Sequence, residues 1–257
     1  MKKEIIKGAT KFVLKREKEE GGFAGTPLLP PTIEDTYFAI KVLNLCNYSI
    51  NMKKHKNFLL NQNILNLTLN PLAKFFKILN NLSLLSYLNK SDLKICFKRL
   101  KNKIQKKKLS LNEINALTEI FKILKDENIL FFLKRKVLNE LSHFTLRTIQ
   151  DLYFLYKILQ EDFPKKFFEF ILEAQNPDGG FGFFKGTTSY MENTYYACYI
   201  LYHFNLKPKM LKKLKDFILS CWNVDGGFGR NSQGISFLES TYYALWILKN
   251  FNLVNGF

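Results

Sequence analysis

A chain of 257 residues, of which 47% are hydrophobic, is long and apolar enough to fold around a sizeable core, which excludes a wholly disordered protein. The chain has 39 lysines and arginines and 22 aspartates and glutamates. This excess of positive charge is compatible with nucleic acid, an anionic membrane surface or a diphosphate ligand as a partner. The basic residues are spread over many amphipathic segments, where lysine normally forms the solvated face, and this argues against nucleic acid.

The N-terminus and the cysteines indicate a cellular compartment. The first twenty residues carry charges every few positions and lack the apolar centre of a secretory signal peptide, and no apolar run approaches the roughly 20 residues that span a bilayer. Cys46, Cys96, Cys198 and Cys221 show neither CxxC spacing nor a histidine at zinc-ligand spacing. We therefore expect a cytoplasmic protein with reduced thiols and no membrane span.

Three segments of the chain, 21–40, 178–197 and 225–244, repeat one another openly. Each has a Gly-Gly-Phe sequence followed by an acidic residue, a threonine and aromatic residues. In each, the first glycine lies 13 positions before a glutamate: Gly21 before Glu34, Gly179 before Glu192, and Gly226 before Glu239. Three such agreements in residue type and spacing indicate an internal structural repeat.

One repeat has the pattern of a helix hairpin. The segment 165–175 is an amphipathic helix, and the glycine pair ends it because glycine readily adopts the positive φ of a tight reversal. Phe181 is expected to anchor this turn in the core. The Glu-x-Thr sequence at 192–194 then begins a second helix, where a carboxylate and a hydroxyl suit the exposed N–H groups and the positive end of the helix dipole.

In chain order, six basic outer helices are predicted, each followed by an apolar inner helix. The outer helices are expected at about 2–18, 53–62, 91–105, 130–141, 165–175 and 209–222. The inner helices are expected to start near Glu34, Leu72, Asn112, Thr148, Glu192 and Glu239. The middle three pairs rest on the period alone. The repeats are then about 36–47 residues long and make one domain over residues 1–257.

Because a single hairpin cannot bury its apolar face, six hairpins are expected to stack and close into an all-α toroid with an inner and an outer ring of helices. Closure would make the inner helices parallel and gather their N-termini at one mouth. Glu34, Asp35, Glu192 and Glu239 would share that mouth with six helix-dipole ends.

Residues 175–182 (Gln-Asn-Pro-Asp-Gly-Gly-Phe-Gly) and 192–197 (Glu-Asn-Thr-Tyr-Tyr-Ala) resemble the repeat of prenyltransferase β-subunits and of squalene and terpene cyclases. The resemblance is strongest in the C-terminal third and near the N-terminus. It implies an α/α toroid around an apolar central cavity that binds isoprenoid diphosphates or polyprenyl hydrocarbons. The fold by itself leaves the activity open.

Protein prenyltransferases, which the chain resembles, use zinc held by an aspartate, a cysteine and a histidine to activate a substrate thiol. Those positions fall on Glu192, Thr194 and Ser240 here, one carboxylate with two hydroxyls, which is a poor zinc ligand set. We therefore predict no zinc and no other cofactor. None of the histidines has metal-ligand spacing, and His55, within a run of lysines, is expected to be exposed.

Class II terpene cyclases, the other branch of the resemblance, protonate an alkene with the middle aspartate of a DxDD motif. The matching stretch here, 32–36, reads Thr-Ile-Glu-Asp-Thr, so Glu34 and Asp35 are the candidate catalytic residues. The alternative is that Glu34 only compensates the helix dipole, as the equivalent Glu192 and Glu239 would.

The leading interpretation is a prenyltransferase-like toroid that binds an isoprenoid or another long-chain lipid, prenyl diphosphates included, in its central cavity. Prenyl transfer or cyclisation is the activity this would imply, and whether the protein is an enzyme is left open. The candidate ligand contacts are Tyr195, Lys185, Arg230, Glu192, Glu239 and Tyr242. The alternative is a non-catalytic protein-interaction scaffold with a helical protein partner.

Overall fold

The computed structural model describes residues 1–105, 108–144 and 146–254, the side chain of Met52 excepted. Within these residues, twelve α-helices form six hairpins, each an outer helix followed by an inner one. The outer helices are α1 (Lys2–Leu14), α3 (Met52–Leu60), α5 (Lys90–Ile104), α7 (Glu127–Asn139), α9 (Phe167–Glu173) and α11 (Leu211–Ser220). The inner helices are α2 (Ile33–Leu45), α4 (Leu69–Asn81), α6 (Leu111–Leu124), α8 (Ile149–Leu159), α10 (Met191–His203) and α12 (Leu238–Asn250).

The remaining regular structure is short. In the described residues, three 3₁₀ helices cover Leu85–Tyr87, Leu141–His143 and Gln160–Asp162. The antiparallel strands β1 (Phe228–Gly229) and β2 (Ser236–Phe237) pair in the loop before α12. No helix in the described part of the chain is both long and apolar enough to cross a bilayer.

The inner helices form a closed ring. Each packs against the next inner helix along the chain, and α12 packs back onto α2. Every inner helix begins within three residues of its predicted start, including α4, α6 and α8, for which only the repeat period was available. The prediction of an all-α toroid is therefore confirmed.

Apolar residues at helical spacing explain how the middle hairpins fold without glycine turns. In α4, Leu72, Phe75, Phe76 and Leu79 recur every three or four positions and are fully buried. This spacing places them along one side of the helix, so that α4 is held in the ring by burial of that side.

The glycine turns pack against the backbone of the following outer helix. Gly179 has φ +95°, and an added Cβ there would lie 2.1 Å from the carbonyl carbon of Lys213 in α11. Gly226, in the last repeat, has φ +91°, and its Cβ would lie 2.3 Å from the carbonyl oxygen of Gly8 in α1. The turn of the last repeat therefore packs against α1 in the same way as the preceding turn packs against α11. This contact between the last and the first repeat closes the ring.

His55 is fully buried, so the prediction that it is exposed was wrong. Its Nδ1 accepts a hydrogen bond from the N–H of Gly22 at 3.0 Å. In the two later turns the equivalent N–H groups are bonded by the carboxylates of Asp178 and Asp225, whereas the first turn has Glu20 at that position. Burial lowers the pKa of His55, which favours the neutral ring that this acceptor role requires.

Candidate ligand-binding cavity

The N-terminal ends of the six inner helices form one mouth of the toroid. The second residue of every inner helix has a carboxylate or carboxamide side chain: Glu34, Asn70, Asn112, Gln150, Glu192 and Glu239. Only the three glutamates were predicted from the sequence. The amides occupy the same position of the repeat, and aligning the middle repeats on their helix starts would have revealed them.

A cavity of about 230 Å³ lies behind this mouth and is lined by residues from all six inner helices. The lining residues stand at the second, fifth, sixth and ninth positions of their helices, one to three turns deep. Asn70, Asn112, Gln150 and Glu239 form its upper level, and Lys77 and Glu119 its floor. The middle level includes Lys74 and Asn115 beside apolar and aromatic residues, so the lining mixes polar and apolar side chains, whereas a wholly apolar bore was expected.

The middle level is an aromatic belt. Its eight rings are Tyr37, Phe38, Tyr153, Phe154, Tyr195, Tyr196, Tyr242 and Tyr243. Tyr195 stacks on Tyr243 with ring centroids 4.2 Å apart, and Tyr153 stacks on Tyr196 at 4.5 Å. Burial raises the pKa of Tyr196 to about 12, so its hydroxyl stays protonated. The belt offers flat hydrocarbon faces with a few hydroxyl groups between them.

Glu239 is the glutamate of the mouth that lines the cavity. Its Oε1 accepts a hydrogen bond from the Tyr243 hydroxyl at 2.7 Å. Burial raises the pKa of Glu239, and the hydrogen bond from Tyr243 lowers it because it stabilises the charged form. The effect of burial is the larger one, so the pKa is raised. Its carboxyl group, although exposed at the mouth, is therefore easier to protonate than one with an ordinary pKa, and when protonated it can donate a hydrogen bond.

The two candidate catalytic residues lie at the rim, outside the cavity lining. Glu34 is about half exposed and forms an ion pair with Lys74 of the next inner helix. Thr32 caps α2: its Oγ accepts a hydrogen bond from the Asp35 N–H at 3.0 Å, and its hydroxyl donates to the Asp35 carboxylate at 2.7 Å. Asp35 thus takes part in the N-terminal cap of α2, Glu34 is paired with Lys74, and a catalytic role of either stays a prediction.

The structure separates the remaining candidate ligand contacts into two groups. Tyr195 and Tyr242 face the cavity, and their hydroxyl oxygens are 3.5 Å apart. Glu192 and Arg230 form a two-pronged ion pair across neighbouring repeats, with 3.0 Å from Arg230 Nε to Glu192 Oε2. Lys185 is 74% exposed and has its Nζ 3.5 Å from a carboxylate oxygen of the outer-helix residue Glu173. Lys74, which lines the cavity, and Arg230, which does not, are therefore each paired with an acid.

The positions that correspond to zinc ligands in protein prenyltransferases have other partners here. Thr194 Oγ accepts a hydrogen bond from the Phe181 N–H at 2.9 Å and donates to the Tyr190 carbonyl at 2.8 Å. Glu192 is bonded to Arg230, and Ser240 is buried. Among the described residues, no three His, Cys, Asp or Glu side chains come close enough together to hold a metal ion.

The charged residues at the floor of the cavity were not predicted from the sequence. Glu119, on α6, forms ion pairs with Lys77 of α4 and with Lys157 of α8, the latter at 3.2 Å. Burial opposes ionisation of Glu119, but Lys157 and Lys77 outweigh it and lower its pKa from 4.5 to about 2. The sequence signal for Glu119 was its position seven residues after Asn112. Seven residues are about two helical turns, so both side chains lie on the same face of α6.

Comparison with known proteins agrees with this architecture. The family model described as prenyltransferase alpha-alpha toroid domain matches residues 1–96 and 76–255. No curated protein matches the chain.

Proposed function

The chain belongs to the prenyltransferase alpha-alpha toroid family, and from that premise we propose that it binds an isoprenoid ligand in its central cavity. The observation that carries the proposal is the aromatic belt, to which four of the six inner helices contribute rings that line one cavity. Stacked rings present apolar faces that suit a branched, unsaturated hydrocarbon chain.

The size of the cavity selects short chains. A cavity of about 150 Å³ holds benzene, which has six carbon atoms, so 230 Å³ holds roughly nine carbon atoms at the same density. One or two isoprene units therefore fit inside, and a longer chain would have to extend through the mouth. The sequence alone suggested a long-chain lipid as the ligand, and the cavity volume favours a short prenyl group in its place.

The proposed function is binding without the zinc chemistry of the protein prenyltransferases. A thiol substrate would need a metal or a strong base to form its thiolate, and position 194 has a threonine whose hydroxyl is already used in two hydrogen bonds. Glu239, when protonated, is the group that can orient a polar atom of the ligand.

Thermal unfolding in the presence of geraniol and of geranyl diphosphate tests the proposal. At a hundred times its dissociation constant a ligand stabilises the fold by about 2.7 kcal/mol, a rise in Tm of roughly 5–10 °C for a chain of this size. Tyr195→Leu removes a ring of the belt and should weaken the shift at least tenfold in ligand concentration. Tyr202→Leu, on the same helix but exposed, is the matched control and should leave it unchanged. Absence of a shift with both compounds in the unaltered protein would refute the proposal.

A non-catalytic scaffold is the second candidate, favoured by exposed phenylalanines on an outer helix. Phe131 is 67% and Phe132 49% exposed on α7, where they border basic residues. If prenyl compounds leave Tm unchanged, this surface becomes the better account. Replacing both phenylalanines by serine should then alter the complexes recovered by cross-linking from the native source while the Tm of the isolated protein stays the same.

A further inference from the structure

Of the three glutamates of the mouth, Glu239 is the one that a ligand in the cavity can reach without breaking an ion pair. Glu34 and Glu192 each pair with a basic residue, and neither lines the cavity. Glu239 lines the cavity and has no ion pair among the described residues. Its hydrogen bond comes from an uncharged donor, the hydroxyl of Tyr243. The mouth therefore presents a carboxylate to the ligand that no described cation pairs with.

The volume of the cavity places the polar end of a prenyl ligand beside this carboxylate. About 230 Å³ holds roughly nine carbon atoms, so a chain of about ten carbon atoms fills the space between the rings. The apolar tail enters the aromatic belt because its burial removes hydrocarbon from water. The head group then remains at the mouth, where Glu239 is exposed and water can still solvate part of the head.

The aromatic belt already holds ammonium groups of the protein itself. Three of its rings have a lysine Nζ at 5.0, 5.3 and 5.8 Å from the ring centroid: Phe38 with Lys74, Tyr242 with Lys41, and Tyr37 with Lys77. The negative faces of aromatic rings attract such cations. Tyr243 and Tyr196, which lie close to Glu239, have no lysine over them among the described residues. The rings nearest the head group can therefore contact a cation that the ligand brings.

The charges around Glu239 favour a cation over an anion at this place. Burial raises the pKa of Glu239, and the charges of Glu192 and Glu34 raise it further, against that of Lys74. An ammonium group would stabilise the carboxylate, as an ion-pair partner would. A phosphate group would instead add negative charge beside three glutamates, where the basic residues are already paired with acids.

Two amide side chains at the upper level of the cavity supply further acceptors. Asn70 and Asn112 line the cavity and form no side-chain hydrogen bond among the described residues. An ammonium group has three N–H donors and no acceptor, so that it needs acceptors alone. The carboxylate of Glu239 and the carbonyl oxygens of the amides are acceptors of this kind.

We propose that the ligand is a prenyl amine, whose protonated amino group pairs with Glu239 at the mouth while its chain lies in the aromatic belt. This inference rests on the proposed function for the binding of the chain. It makes Glu239 the residue that selects the head group, for an amine and against a diphosphate. A hydroxyl head would use the same residue differently, since a protonated Glu239 can donate a hydrogen bond to it without an ion pair.

Calorimetric titration of the full chain with geranylamine, geraniol and geranyl diphosphate tests the inference. The unaltered protein should bind geranylamine about fivefold more tightly than geraniol, and geranyl diphosphate more weakly than either. Because the net charge of +17 attracts anions to the surface, the titrations are made in about 0.3 M salt, which screens exposed charges.

Glu239→Gln keeps a hydrogen-bond donor and an acceptor for the Tyr243 hydroxyl but removes the charge. It should lower the affinity for geranylamine about fivefold and change that for geraniol less than about twofold. Glu169→Gln, at an exposed position of the outer helix α9, is the matched control and should change neither.

The outcomes separate this inference from the proposed function. Equal affinities of the unaltered protein for geranylamine and geraniol would overturn the amine head and leave prenyl binding standing. Tightest binding of geranyl diphosphate, lost in Lys74→Met, would also overturn it, because the mouth would then hold an anionic head. Binding of none of the three compounds would refute the proposed function and the inference together.

Folding of the key variant can be checked independently. Glu239→Gln should leave the unliganded protein as stable as before, because the amide still accepts from Tyr243 and no ion pair among the described residues is broken. An unchanged Tm together with a loss confined to geranylamine is the expected result. A lower Tm with equally weakened binding of geraniol would show that Glu239 is structural and would overturn its role in selecting the head.

Discussion

Three buried threonines tie the glycine turns to the inner helices. Thr36, Thr194 and Thr241 each accept a hydrogen bond from the N–H of the turn phenylalanine, at 2.9, 2.9 and 3.0 Å. All three are fully buried. Because a buried N–H without an acceptor costs free energy, the hydroxyl at position 194 has a structural role, at the position that the resemblance to protein prenyltransferases assigns to a cysteine.

Thr194→Val should destabilise the protein by about 1–3 kcal/mol, because valine matches the shape of threonine but cannot accept the Phe181 N–H. The measurement is the free energy of unfolding in urea. Thr188→Val, at an exposed position in the loop before α10, serves as the control and should change it little. Similar small changes in both variants would show that the turn does not depend on this hydrogen bond.

At the scale of an element, the glycine turn sets how closely successive repeats approach. Gly226 and Gly186 both have positive φ, +91° and +83°. They differ in surroundings: a Cβ at Gly226 would meet the backbone of Gly8, whereas a Cβ at Gly186 would meet nothing within 4 Å. The two positions therefore separate the cost of backbone conformation from the cost of a collision.

Gly186→Ala should cost about 1–2 kcal/mol of stability, the usual penalty of a left-handed conformation for a residue with a Cβ. Gly226→Ala should cost about 1–3 kcal/mol more, because α1 has to move away from the turn. Thermal unfolding of both variants measures the difference. Equal losses of stability in the two variants would mean that α1 can move away from the last turn without a cost in free energy.

For the whole molecule, six parallel inner helices add their dipoles along one axis. The acidic and amide residues of the mouth lie at the positive ends, and Lys41, Lys77 and Lys157, two turns further along their helices, lie towards the negative ends. Glu119 connects three consecutive inner helices through its pairs with Lys77 and Lys157. Its charge therefore matters for the ring and not only for one helix.

Glu119→Gln should destabilise the fold by about 3–5 kcal/mol, because it leaves partly buried lysines without a counter-ion. The folded pKa of Glu119 lies below its ordinary value, so its contribution is present above about pH 4.5 and is lost as the pH falls towards 2. Unfolding curves between pH 7 and pH 3 should show a smaller acid loss in the variant than in the unaltered chain. Asp162→Asn, in a more exposed pair with Lys134, is the control. An unchanged acid profile in Glu119→Gln would contradict the role of the pair.

The elements were predictable because their signals are local. Three repeats share a Gly-Gly-Phe sequence and a glutamate 13 residues after the first glycine. In α4 and α6, which lack this sequence, apolar residues at every third or fourth position indicate the helices. The burial of His55 was not predictable, since its hydrogen bond joins two segments 33 residues apart and replaces an aspartate found in the other turns.

The sequence by itself determined the helix hairpins, their number and the glutamates of the mouth, because helix starts, glycine turns and repeat length are encoded within each repeat. Only the tertiary structure decided which charges are neutralised. Lys74 meets Glu34 from 40 positions away, and Arg230 meets Glu192 across a repeat boundary. Lys41 finds no such partner among the described residues. Those pairings, and the 230 Å³ of space between the tyrosines, depend on how the closed ring sets the distance and rotation of its helices.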